Sequence, residues 1–484
     1  MAARCVMVLG TTSGAGKSWL ATALCRWYAR RGLKVAPFKA QNMSNNARVV
    51  AGGEIGSAQY FQALAARAEP QVRMNPLLLK PETDTHSQVV LLGQVDEALT
   101  RMAWRDRSRQ VWPRLAQALD ELRAGHDVVV IEGAGSPAEI NLQSSDVVNM
   151  RVAQHAGARC LLVTDIDRGG AFAHLYGTWA LLPPRERALL RGFVLNKFRG
   201  DAALLAPGPQ QLQQLTGIPT VGVLPLWRGH GLPEEDGWFG VDTPPVGPAA
   251  GGGRESRTVA VVAYPRISNL DEFQPLARLP GVRLRWVRAP QELAGADWVV
   301  LPGSKHTSGD LAWLRAQGLD RAVAAHAGQG GAVLGLCGGL QMLGEALVDP
   351  HGIDGNGPGL GLLPLVTAFE RDKVVAPARE TFGEVTGPWA GLSGVAVRGY
   401  EIHHGHTAPH PAMAPGRAVL PRGLGWQNAA GNVLGVYLHG LFEDAGVQQA
   451  LFGARTPGLD TVFDGLADFL ERHVAASVLE DLIR

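Results

Sequence analysis

Cys5-Val6-Met7-Val8-Leu9-Gly10-Thr11-Thr12-Ser13-Gly14-Ala15-Gly16-Lys17-Ser18 sets the reading of the first half of the chain. A short apolar run leads into a glycine-rich loop, and a helix-compatible stretch follows to about Arg31. That order is the strand–loop–helix context of a phosphate-binding loop. Backbone amides in such a loop cradle phosphate oxygens, Lys17 can reach the terminal phosphates, and Ser18 can hold Mg²⁺. Thr11, Gly14 and Gly16 complete the candidate nucleotide-binding set on the loop. Gly10 sits one position early for strict G-x-x-x-x-G-K-[ST].

Working outward, Val35-Ala36-Pro37-Phe38 reads as a second strand that delivers Lys39 to its C-terminal end, with Gln41-Asn42-Met43 just beyond. Ligands bind at that edge of an open α/β sheet. Lys39 is a candidate for neutralising a phosphoryl group or an anionic substrate, against the plainer reading of a solvated lysine after a strand. Asn42 is a candidate substrate contact. The run Asp127-Val128-Val129-Val130-Ile131 ends in Glu132, and Asp146 lies a little further on. With Ser18, these two carboxylates are the candidate ligands of Mg²⁺. Further strands end at Asp165 and at Asn196, whose amide can read an adenine edge. Each of these side chains alone is as readily structural, and their shared place at strand ends favours a site. Strands alternating with helices predict a doubly wound, mostly parallel sheet over residues 1–240.

Residues 241–257 are rich in Pro, Gly and Ala and read as a linker. The strand–helix rhythm then restarts, with strands expected at 258–264, 282–287 and 298–301. Val333-Leu334-Gly335-Leu336-Cys337-Gly338-Gly339-Leu340-Gln341 has the pattern of a nucleophile elbow with sulfur in place of the serine oxygen. The bland alternative is a buried structural cysteine in a glycine-rich turn. Beyond about Gly344 the pattern becomes Gly- and Pro-rich, with shorter strands expected. His439 ends a strand-like run there and is the natural base for Cys337. The amides of Gly338 and Gly303 are candidate oxyanion donors, and Gln341 either helps hold an amide substrate or is a helix-surface glutamine. His403, His404 and His406 leave a metal reading open beside that of a solvated or substrate-facing cluster. The second domain is expected over 258–447, and 448–484 reads as a helical extension.

The chain has 484 residues, too many for one ordinary domain. Hydrophobic content of 46% with 18% charged residues fits a globular protein with a large core. A formal net charge of +1 argues against nucleic-acid binding driven by bulk charge. No apolar run approaches a membrane span, and no signal peptide is read, so no membrane association is expected. The four cysteines are scattered without metal-ligand spacing, which points to the reducing cytoplasm. Assembly as a homo-oligomer is left open.

The Gly335–Gln341 motif with a distant His439 resembles class I glutamine amidotransferases, and the P-loop spacing resembles dethiobiotin synthetase-type ATPases. The two in this order resemble the cobalamin-biosynthesis amidotransferase family. Long stretches are similar to its cobyric acid synthases: Pro37-Phe38-Lys39-Ala40-Gln41-Asn42-Met43-Ser44, Glu132-Gly133-Ala134-Gly135-Ser136-Pro137-Ala138-Glu139-Ile140-Asn141, Asp165-Ile166-Asp167-Arg168-Gly169-Gly170, Asn196-Lys197-Phe198-Arg199-Gly200-Asp201 and Gly399-Tyr400-Glu401-Ile402-His403. The resemblance implies amidation of a corrinoid substrate's b, d, e and g carboxylates, driven by ATP with Mg²⁺ and fed by glutamine. It implies Cys337 as nucleophile and His439 as base, no tightly bound prosthetic group, and Glu401 and His403 as candidate corrinoid contacts. The wider amidotransferase pattern carries a glutamate two residues after the histidine. Here that position is Leu441, and Glu443, two further on, is not assigned the role. What orients His439 stays open. The nearest rivals are the same chemistry on cobyrinic acid or a cell-wall precursor. A rival of another class is a P-loop partition ATPase. Such ATPases often carry a second lysine early in the loop, where this chain has Thr12.

Overall fold

Strands covered by helices on both faces are written as unbroken apolar runs. Val128–Glu132 is such a run, buried along its whole length. It pairs in parallel with Arg4–Gly10 on one side and with Val35–Phe38 on the other. Arg159–Asp165, Leu190–Phe198 and Thr220–Pro225 extend the sheet from the opposite edge of Arg4–Gly10, all in parallel. The chain therefore changes direction of progress at Arg4–Gly10, and the loop that follows this strand opens on the switch point where ligands bind. Apolar clusters fill both faces of the sheet. The computed structural model describes residues 2–83, 85–233 and 257–484. The expected linker lies outside the described residues except for its last position, as does the expected end of the first domain at 240.

The second half is also α/β. Val282–Val287, Arg257–Val262, Trp298–Leu301, Ala332–Leu336 and Val433–Val436 run in parallel, and Gly425–Gln427 and Arg417–Leu420 add an antiparallel edge. The expected short strands beyond Gly344 are corrected by the structure. Leu365–Thr381 and Ala396–Pro409 form one long antiparallel ribbon. The charged stretch Glu370-Arg371-Asp372-Lys373 interrupts the apolar alternation, and it falls where the register shifts between Phe369 and Val374. The ladder carries the strand across a break that the sequence pattern reads as an end.

The tail does not end on the second domain. Helix Leu459–His473 lies against helix Lys17–Arg30, which starts at the P-loop. Its Phe463, Leu466 and Leu470 join the apolar cluster of the first domain. Arg26, buried, donates to Asp464 at 2.9 Å and pairs with Asp460.

Candidate active sites

Two large clefts hold most of the residues singled out above. The first, about 970 Å³, is lined by the P-loop, Lys39, Asn42, Glu132, Asp165 and Asn196. Gly16 takes φ +100, and a Cβ there would lie 2.0 Å from Asn196 Nδ2, so only glycine fits. Asn196 Nδ2 donates to the Ala15 carbonyl at 2.9 Å, and Lys197 Nζ to the Gly14 carbonyl at 2.8 Å. The neighbouring strand end thus holds the loop open. Lys17 Nζ donates to the Thr12 and Gly135 carbonyls at 3.0 and 3.2 Å.

Glu132 is the centre of this cleft. Its Oε1 accepts from Ser18 Oγ and from Lys39 Nζ, each at 2.8 Å, and its Oε2 accepts from Gln62 Nε2 at 2.5 Å and Gln59 Nε2 at 3.4 Å. Burial opposes its charge, but Lys39, Gln62 and Ser18 outweigh the burial and hold its carboxyl below the usual carboxylate range. Ser18 and Glu132 offer hard oxygen donors side by side, which is the donor chemistry that suits Mg²⁺.

Asp146 is corrected. It does not line the cleft. Its Oδ1 accepts from the amides of Val148 and Asn149 and its Oδ2 from that of Met150, each at 2.9 Å. These are the amides at the start of helix Met150–Ala156, so the carboxylate serves as a helix-start acceptor. Thr11 is likewise turned away from the cleft, with its hydroxyl on Thr164 at 2.9 Å. Asx-type capping and metal binding call for the same residue, and spacing alone does not separate them.

The second cleft, about 930 Å³, is lined by Cys337, His439, Gln341, Ser304 and Thr307 on one side and by Glu54, Lys80 and Glu82 of the first half on the other. Cys337 sits between strand Ala332–Leu336 and helix Gly338–Leu343 at φ 48, ψ −107, a strained backbone for a residue with a side chain. The turn is possible because Gly339 has no Cβ, which would lie 1.9 Å from the Leu301 carbonyl oxygen. The thiol reaches the Ile402 carbonyl at 3.5 Å. Gly303 and Gly338 flank the site: a Cβ on Gly303 would lie 2.7 Å from His439 Cε1, and one on Gly338 would lie 2.8 Å from the Ser304 nitrogen. Gln341 is buried, with Thr307 Oγ1 donating to its Oε1 at 3.0 Å and its Nε2 donating to Tyr437 at 3.2 Å.

His439 is 1% exposed, and its Nδ1 lies 3.0 Å from Glu272 Oε1. Glu272 Oε2 also accepts from the Gly440 amide at 2.8 Å. Burial disfavours the charged ring, but Glu272 and Cys337 outweigh it and raise the histidine to about 10. Glu272 thus gives His439 a carboxylate partner, which Leu441, two residues after the histidine, cannot. It comes from the turn Leu270–Phe273, far upstream of both Cys337 and His439. Sequence reading missed it. The one signal was a pair of acids, Asp271-Glu272, enclosed by apolar residues just after a strand end. Glu443 is used elsewhere, on Arg48 of the first half.

Glu401 and His403, the candidate corrinoid contacts, lie two residues apart on the ribbon strand Ala396–Pro409, and His403 lines the Cys337 cleft rather than the P-loop cleft. Its Nδ1 lies 2.8 Å from the Gly405 carbonyl oxygen and its Nε2 3.3 Å from Glu401, and its ring stacks on Tyr437 with centroids 4.0 Å apart. His404 meets the Glu370 carbonyl oxygen instead, and His406 is exposed. The three histidines do not converge on one point. Among the described residues no helix is long and apolar enough to cross a membrane.

Residues 6–228 match the CobQ/CobB/MinD/ParA nucleotide binding domain, and residues 258–447 match the CobB/CobQ-like glutamine amidotransferase domain. Three relatives named cobyric acid synthase are similar over essentially the full length. The protein of Variovorax paradoxus (strain S110) is 76% identical and covers 100% of both chains. That of Polaromonas sp. (strain JS666 / ATCC BAA-500) is 73% identical over 99% of this chain and 98% of its own. That of Polaromonas naphthalenivorans (strain CJ2) is 72% identical, again over 100% of each.

Proposed function

The chain belongs to the cobyric acid synthase family of glutamine amidotransferases, enzymes of cobalamin biosynthesis, and from that premise we propose that it amidates the b, d, e and g carboxylates of adenosylcobyrinic acid a,c-diamide. Each amidation consumes one ATP and one glutamine. The observation that carries the reading is the pairing of two clefts in one chain: a P-loop cleft centred on Glu132 and a cleft holding Cys337 beside a Glu272-bound His439.

A carboxylate is a poor acyl donor, because its leaving group would be oxide or hydroxide. Phosphoryl transfer from ATP converts it to an acyl phosphate, from which phosphate leaves readily. The loop amides and Lys17 position the nucleotide, and Lys39 neutralises charge on the transferring group. Ser18 and Glu132 would hold Mg²⁺, which supplies charge neutralisation at the phosphates when bound. Asn42 contacts the substrate, and Asn196 keeps the loop in its binding shape.

In the other cleft the Cys337 thiolate attacks the side-chain amide carbon of glutamine. The amides of Gly338 and Gly303 stabilise the oxyanion, and Gln341 braces the pocket. His439 gives a proton to the departing ammonia and then takes one from the water that hydrolyses the thioester. Glu272 fixes the ring so that Nε2 faces the thiol. Ammonia passes between the domains, since the wall facing Cys337 belongs to the first half. Free in solution at neutral pH it would be mostly ammonium and not nucleophilic. Four free, buried cysteines suit work in the cytoplasm.

A corrinoid panel with ATP, Mg²⁺ and glutamine tests the assignment. Conversion of the a,c-diamide to a product bearing the further amides is expected. Amidation of cobyrinic acid in preference to its a,c-diamide would overturn it.

A further inference from the structure

Arg48 belongs to the first half of the chain, on strand Ala47–Val50, and its side chain is 3% exposed. All its charged partners belong to the second half. Nη1 donates to Glu443 Oε2 at 2.8 Å, Nη2 to Glu443 Oε1 at 2.6 Å, and Nη2 also pairs with Asp271. Asp271 is the residue before Glu272. Glu443 closes the turn that begins at Gly440, whose amide is bound to Glu272, and its own amide donates to the Gly440 carbonyl at 3.0 Å. One guanidinium therefore ties down the turn that carries Glu272 and the turn that follows His439.

The same docking is repeated by neighbouring groups. Ala47 exchanges hydrogen bonds with the Asn269 side chain, each at 3.2 Å, and Asn46 Oδ1 accepts from the Leu270 amide at 2.8 Å. On its other side Arg48 lies 4.9 Å from the ring centroid of Phe61 and donates to Ser57 at 3.4 Å. Phe61 lines the P-loop cleft, and it shares the helix Ser57–Ala65 with Gln59 and Gln62, both bound to Glu132.

We infer that Arg48 is a positioning residue for glutamine hydrolysis: through Asp271 and Glu443 it sets Glu272 against His439, so the glutaminase centre is complete only with a residue supplied by the ATP domain. This rests on the reading of Cys337, His439 and Glu272 as a glutaminase. A displacement of catalytic groups by about 1 Å can cost about 100-fold in rate. Removing the guanidinium frees both turns without touching any group at the thiol or at the P-loop.

The test uses the full-length protein with Arg48→Lys, Arg48→Met and Asp271→Asn. Glutamate release measures hydrolysis, and amidation with ammonium chloride in place of glutamine measures the synthetase half. Expected for Arg48→Met and Asp271→Asn is a fall of about 10- to 100-fold in kcat for glutamine hydrolysis, with KM for glutamine within about twofold. Ammonium-driven amidation should be retained, and Arg48→Lys should recover part of kcat. Wild-type hydrolysis in all three variants would overturn the inference. So would an equal loss of both activities, which marks a merely structural ion pair, or a loss confined to KM. Absence of ammonium-driven amidation in the wild-type protein would instead count against the proposed synthetase function, with the hydrolysis comparison still decisive for Arg48.

Discussion

The two clefts are built on opposite plans. Lys17 and Ser18 come from one loop after one strand, and Glu132, which binds Ser18, and Asn196, which binds the loop at the Ala15 carbonyl, sit on strands of the same sheet. The cleft of Cys337 draws its parts from three distant stretches, the turn at Glu272, the elbow at Cys337 and the segment at His439, just past strand Val433–Val436. It is also walled and braced from the other domain. A phosphate site needs many weak donors in a fixed backbone curve, which one short segment can supply. A thiol with its base needs a few groups at fixed separations, and those can come from anywhere the fold converges. The first plan makes a site that is local and robust. The second makes one whose activity can depend on domain docking.

Removing one centre at a time gives the largest expected effect on this comparison. Lys17→Ala should abolish amidation from either nitrogen source, by about 10³-fold or more, while glutamate release continues. Cys337→Ala should lose glutamine-driven amidation by about 10⁴-fold and keep the ammonium-driven reaction. Product mass spectra alongside glutamate release read both. Loss of ammonium-driven amidation in Cys337→Ala would break the separation of the two plans.

Glu272→Gln sharpens it one step down. Glutaminase kcat should fall by about 10²- to 10⁴-fold, as for other triads that lose the charged third member. The pH profile carries a sign. Glu272 helps raise His439 to about 10, against burial, so the protonated ring of the wild-type enzyme persists to about that pH. Without that carboxylate, burial acts with less opposition, and the alkaline limb of the profile should move to lower pH. An unmoved alkaline limb would remove Glu272 from the site.

Stability tests the interface between the clefts. Glu54, 1% exposed, pairs with Lys80 at 2.7 Å and with Lys373 from the second half. Glu54→Gln should cost about 3 kcal/mol in chemical denaturation, because it strips buried cations of their partner. Although burial opposes its charge, Lys373 and Lys80 bring the Glu54 carboxyl from 4.5 down to about 2. The folded value is the depressed one. Its contribution is therefore full above about 4.5 and drains away as pH falls toward about 2. The smallest effect belongs to the rim of the tail helix. Arg31 and Glu471 are partly exposed at 3.1 Å, and Glu471→Gln should cost less than about 1 kcal/mol.

The same contrast explains what could be read from the residues alone. Both α/β domains were legible, since parallel strands are apolar runs and their loops carry the glycines. Cys337 and His439 were legible because one sits in a motif and the other ends a strand-like run. Glu272 was not, because no periodicity marks a turn whose acid is meaningful only once the chain has folded over it. Asp146 looked like Glu132 in sequence, yet a helix start had already engaged its carboxylate. His403 shares a motif with Glu401, but the long ribbon delivers it to the thiol's cleft. The ribbon itself was hidden by four charged residues at a register shift.

If nitrogen released at Cys337 reaches the P-loop cleft without leaving the molecule, its isotope survives into the product. The direct measurement supplies glutamine with a heavy amide nitrogen, together with excess unlabelled ammonium, and weighs the amides of the product. Heavy product is expected from the wild-type enzyme and unlabelled product from Cys337→Ala. Unlabelled product from the wild-type enzyme would contradict transfer within the molecule.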